Sequence, residues 1–132
     1  MKNILFTLAL LVSFSSFGQT SSEYFDSAYD KAENGDYNGA IADYTKAIEL
    51  KPNYTGAYNN RGLSKSKLKD YYGAIADYNK AIELKPNYTS AYANRGIAKE
   101  LIGDLNGACA DWKKAANFGH TNAAKWVANQ CN

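Results

Sequence analysis

Residues 73–88 read GAIADYNKAIELKPNY. In this stretch Ala74, Ile75, Tyr78, Ala81 and Ile82 fall at i, i+1, i+4, i+7 and i+8, which sets all five on one face of an α-helix. Asp70 ahead of that face is a good N-cap, and Pro86 beyond Leu84 is a good stop. The same phrase fills residues 39–54, with Thr45 where the later copy has Asn79. The polar and apolar positions before each copy, such as those from about Ala57 to Leu68, predict another helix. Gly35 and Gly103 suit the turn between the two, and Lys69 holds that place in the middle unit. Each unit is thus expected to be a helical hairpin.

Sliding the chain by 34 residues gives the registers 21–54, 55–88 and 89–122. Tyr24, Tyr58 and Tyr92 align, as do Ala28, Gly62 and Gly96. Ala40, Ala74 and Ala108 form the next column, then Tyr44, Tyr78 and Trp112, then Ala47, Ala81 and Ala115. Pro52 and Pro86 close two units, and His120 stands in that place in the third. Large rings facing small residues describe backbones that come close. A single hairpin cannot bury such a face, so neighbours must stack, and the phrase recurs because each copy docks the next. Gly39, Gly73 and Gly107 recur near the start of each second helix. The pattern supplies no firm reason for them, close helix approach being one.

These columns closely resemble the tetratricopeptide repeat family across residues 21–122. The resemblance implies an all-α fold: a right-handed α-α superhelix (solenoid) of three hairpins. It also implies that a concave face, lined by the first helix of each hairpin, binds a peptide or protein segment. Residues after the third unit read as a capping helix over 121–131, with Ala123, Ala124, Trp126 and Val127 on its apolar side. Cys109 and Cys131 each lie about nine residues from the turn at Phe118 and Gly119, roughly 13 Å along antiparallel helices. A disulfide between them is expected, two buried free thiols being the alternative.

For the groove, Asn60 and Asn94 stand where peptide-holding members of the family often carry asparagine, whose amide can pair with any peptide backbone. Phe25, Asp26, Tyr29, Asn59, Leu63, Lys67, Ile97 and Glu100 are the neighbouring candidates. Asp26 disfavours an acidic segment at its end, and Lys67 alone does not make a carboxylate clamp. Asp43, Asp77 and Asp111 precede the ring column, opposite Lys31, the Arg61–Lys65 pair and the Arg95–Lys99 pair. They predict an ion ladder between paired helices, with lysine stems packed and ammonium groups at the rim.

Export enters through the first residues. Lys2, an apolar run from Ile4 to Phe14 and the small residues to Gly18 form a signal-peptide pattern over 1–18, too short to span a bilayer. Cleavage is expected after Gly18, leaving a tetratricopeptide domain over 19–132 in the periplasm or outside the cell, where a disulfide persists. No membrane insertion is expected of that mature part. Without Lys2 the chain holds 14 basic against 13 acidic residues, no footprint for nucleic acid. One histidine and no clustered cysteines give no metal site or cofactor, and no acid–base constellation marks an enzyme. The sequons at Asn53 and Asn87 fall in turns between repeats and arise from the repeat itself. The expected function is noncatalytic binding of a protein or peptide in the groove. The alternative is a structural or assembly subunit of an envelope complex that uses its convex face or ends.

Overall fold

The computed structural model describes residues 18–132, so the expected signal segment, apart from Gly18, lies outside the described residues. The described residues form seven helices: α1 Ser21–Glu33, α2 Tyr37–Leu50, α3 Thr55–Lys67, α4 Tyr71–Leu84, α5 Thr89–Leu101, α6 Leu105–Asn117 and α7 Thr121–Gln130. None of these helices is long and apolar enough to cross a membrane. The chain is an all-α superhelix of three stacked hairpins with α7 closing the last.

Local chemistry sets the helix starts. At α1 the Thr20 hydroxyl accepts from the Glu23 N–H at 3.2 Å, and the Glu23 carboxylate accepts from the Thr20 N–H at 3.3 Å. Asp36, Asp70 and Asp104 cap α2, α4 and α6 by accepting from the N–H of Gly39, Gly73 and Gly107 at 2.9, 3.0 and 2.9 Å. A Cβ on any of those glycines would stand 2.2 Å from the capping carboxylate. The atoms nearest to the place of such a Cβ are thus those of the capping side chain itself. His120 caps α7, its Nδ1 accepting from the Ala123 N–H at 3.0 Å.

Ala40, Ala74, Ala108, Ala47, Ala81 and Ala115 are fully buried, and Tyr44, Tyr78 and Trp112 fill the space between them. Within the second hairpin an added Cβ at Gly62 would lie 2.8 Å from the Tyr78 ring, and in the third one at Gly96 would lie 2.4 Å from Trp112. Between hairpins, Ala57, Ala91 and Ala123 are also fully buried. Ala57 packs in the first hairpin's cluster and Ala123 in the third's, so each sits at a junction with the preceding unit. The first helices touch one another as well, α1 with α3 and α3 with α5, which sets them on the inner side of the arc.

The ion ladder joins three helices at a time. Arg61 on α3 donates Nε and Nη2 to the Asp77 carboxylate on α4 at 2.8 and 2.7 Å, and Nη1 to the Thr45 hydroxyl on α2 at 3.2 Å. Arg95 repeats this with Asp111 at 2.8 and 2.6 Å, and with Asn79 at 2.9 Å. Lys65 and Lys99 add a second cation to each aspartate at 3.0 Å. The one difference between the two copies of the phrase, Thr45 against Asn79, is thus an exchange of one acceptor for another. Ser27 stands in the arginine's place in the first unit. It donates to Asp43 at 2.7 Å beside Lys31 at 2.7 Å. Val127 holds the corresponding seventh position of α7 and packs against the third hairpin's core.

The two cysteines are bonded, Cys109 on α6 to Cys131 at the end of α7, across a sequence separation of 22. By loop entropy such a staple contributes about 3 kcal/mol.

Two predictions follow from these contacts. Lys69 holds φ +66°, the left-handed conformation that Gly35 and Gly103 take in the other hairpins. A side chain there costs about 1 kcal/mol, so Lys69→Gly is expected to raise the thermal midpoint by several degrees in a melt followed by circular dichroism. The second concerns acid. Burial pushes the Asp43 carboxyl up, but hydrogen bonds from Lys31 and Ser27 outweigh it and hold the group below the ordinary 3.8. With the folded value depressed, this carboxylate stabilises the fold above that pH, and the contribution is lost as pH falls through the folded value. Solvent around Lys31 keeps the amount under about 1 kcal/mol. Asp43→Asn is expected to be less stable than the parent at pH 6 and equal to it at pH 2, measured by urea denaturation at both.

Candidate functional site

The inner side of the arc holds a cavity of about 270 Å³ between α1 and α3, floored by α2. From α1 come Tyr29, Ala32 and Glu33, and from α2 come Tyr37 and Tyr44. Asn60, Leu63, Ser64 and Lys67 form the α3 wall. Heptad-like spacing explains the grouping, because Tyr29 and Glu33 lie one turn apart on α1, as Leu63 and Lys67 do on α3. Tyr29 is 50% exposed and Leu63 41% exposed, so both present apolar surface to a visitor.

The floor is polar and buried. Burial pushes the Tyr44 hydroxyl up to about 12, with the Asn60 amide pulling the other way and the charges of Tyr29 and Glu33 adding to the rise. Asn60 is also one end of a chain of amides. Asn94 Nδ2 donates to Asn59 Oδ1 at 3.3 Å, and Asn59 Nδ2 donates to Asn60 Oδ1 at 3.3 Å. The chain ties α3 to α5 along the inner side. Burial likewise raises the Tyr88 hydroxyl, against a hydrogen bond with Asn59.

The ten expected groove residues therefore divide. Tyr29, Asn60, Leu63 and Lys67 meet in the cavity. Asp26 and Glu100 are exposed on α1 and α5, outside its walls. Asn94 is half-buried and spends its donor on Asn59. Three others pack inward. Asn59 is only 5% exposed, and its amide bridges the two other asparagines. Phe25 stacks on Tyr54 at 4.9 Å and meets Tyr44 edge-on at 5.5 Å, so it belongs to the first hairpin's core. Ile97 packs against the third hairpin's core.

Glu33, Tyr37, Tyr44, Ala32 and Ser64 were missed. The signal for Glu33 was present, since it shares a column with Lys67 at the repeat distance. Tyr44 was assigned wholly to the core. It lies in the first hairpin's core and also lines the cavity. A second cavity of about 340 Å³ lies at the C-terminal end, beside Cys109, Cys131, Leu105 and Lys113. Among the described residues no group of three His, Cys, Asp or Glu side chains is placed to hold a metal ion.

Comparison with known proteins adds the family. A model described as "Tetratricopeptide repeat" matches residues 56–88, and one described as "TPR repeat" matches residues 28–69. No curated protein matches the chain. Among solved structures, the first such domain of Spaghetti (RPAP3), bound to the HSP90 peptide SRMEEVD, aligns with a TM-score of 0.82 at 25% identity. That alignment covers 86% of this chain and 91% of the other. The second domain of the same protein, bound to the same peptide, aligns with a TM-score of 0.74 at 29% identity, covering 76% and 93%. The Arabidopsis OM64 domain, with a TM-score of 0.82 at 24% identity over 85% and 94%, shares the fold. With its 34-residue period, stacked hairpins and matching family models, this chain belongs to the tetratricopeptide repeat family.

Proposed function

We propose that the protein is a noncatalytic interaction module that holds an extended protein or peptide segment against the inner side of its arc, with the α1–α3 cavity as the anchoring point. The cavity carries this reading, because it combines exposed apolar surface on Tyr29 and Leu63 with amide and hydroxyl groups from Asn60 and Tyr44. Such a mixture suits a side chain flanked by peptide backbone. Similar folds solved with a seven-residue peptide support it. The volume of about 270 Å³ fits one bulky side chain and its backbone, with the rest of the segment lying along α3 and α5. The expected export to an oxidising compartment, periplasm or exterior, fits the Cys109–Cys131 bond that staples the cap.

Leu63 is the position on which to test this, since it is exposed and its loss removes no core packing. Leu63→Glu is expected to keep the parent's helical content and melting temperature. In selections from a displayed library of random heptapeptides, the parent is expected to enrich a set of binders that the variant holds at least about tenfold more weakly. Enrichment of the same peptides by both proteins, with equal affinity, would move the binding surface away from the inner side.

A further inference from the structure

The cavity's charge is set by its first wall. The column that holds Glu33 in the first unit holds Lys67 in the second and Leu101 in the third, so only the first repeat places a carboxylate there. On α1, Asp26, Tyr29, Asp30 and Glu33 share one exposed stripe. None of these three carboxylates forms an ion pair among the described residues, whereas Asp43, Asp77 and Asp111 are all paired. The first unit as a whole carries seven acidic and three basic residues, and the second carries three and six. The field along α1 is therefore negative, and Glu33 brings it to the cavity mouth.

Three tyrosines, Tyr29, Tyr37 and Tyr44, complete that side. Ring faces attract a cation through their quadrupole, and the attraction grows when the cation is partly desolvated. We infer that the α1–α3 cavity takes the cationic side chain of a lysine or arginine from a basic peptide segment, its alkyl stem against Leu63 and its charged end against Glu33 and the tyrosines. This rests on the binding reading above and adds the chemistry of the partner.

Lys67 on the facing wall is the group that opposes this assignment, and it bears directly on the test. Lys67 and Glu33 are not ion-paired, since the ion pairs of the described residues do not include them. Each is therefore free to act on a visitor. An arginine between the α1 tyrosines and Leu63 meets Glu33 attractively and leaves Lys67 to solvent or to a carboxylate further along the segment. An acidic side chain meets Lys67 but must also face Glu33 and the Asp26–Asp30 stripe. The weight of charge favours the cation.

The experiment uses three libraries of otherwise random heptapeptides, with the central residue fixed as arginine, glutamate or norleucine, selected against the purified protein and against Glu33→Gln and Lys67→Gln. Binders from each are remeasured by fluorescence anisotropy. Arginine binders are expected to exceed norleucine ones by about tenfold. They are expected to weaken several-fold on Glu33→Gln and to hold or tighten on Lys67→Gln. Equal binding of arginine and norleucine peptides, or a preference for glutamate abolished by Lys67→Gln, would overturn the assignment of a cation while leaving a peptide-binding module in place. No binder from any of the three libraries would overturn both readings.

Discussion

The arrangement hangs on one interaction, a guanidinium held two-handed by a buried aspartate. Asp77 and Asp111 are each only 4% exposed, and a carboxylate so placed is costly unless fully paired. Arg61 and Arg95 supply that pairing in the planar geometry that only arginine offers. Because each arginine's third contact goes to the preceding hairpin, the same side chain that satisfies the carboxylate also ties its unit to the one before. Apolar packing drives the stack together, and alanine columns would tolerate some sliding. Directional ion pairs do not, and they recur at the repeat distance.

The ends of the chain show the same logic in reverse. The first described unit carries Ser27 in place of the arginine, and Lys31 serves Asp43 there. At the other end α7 carries Val127 at that helix position, covers the third hairpin's core and is bonded through Cys131. The site inherits its position from this spacing, because the cavity is the gap left between α1 and α3 once Arg61 has fixed the second hairpin against the first. Its acidity comes from α1, the one first helix without an arginine.

Much of this was legible in the sequence. The helix spans, the N-cap aspartates, the ring and small-residue columns, the ion ladder and the cysteine pairing all follow from periodicity and spacing, which are local or repeat-wide properties. The groove was only half legible. Helical spacing tells which residues share a face, and Tyr29, Asn60, Leu63 and Lys67 do line one cavity. It does not tell whether a neighbouring side chain closes over that face. Phe25 turns inward because Tyr54 and Tyr44 offer it rings, and Asn59 because two other amides take up its groups.

A double-mutant cycle on Arg61 and Asp77 tests the central claim most directly. Arg61→Leu, Asp77→Leu and the double variant would be compared with the parent by guanidinium unfolding. If the buried pair fixes the stack, each single change costs about 3 kcal/mol by stranding its partner, and the double variant is no less stable than either single one. Single losses below about 1 kcal/mol that simply add would show the two side chains to be independent. The stack would then be held by its apolar columns alone.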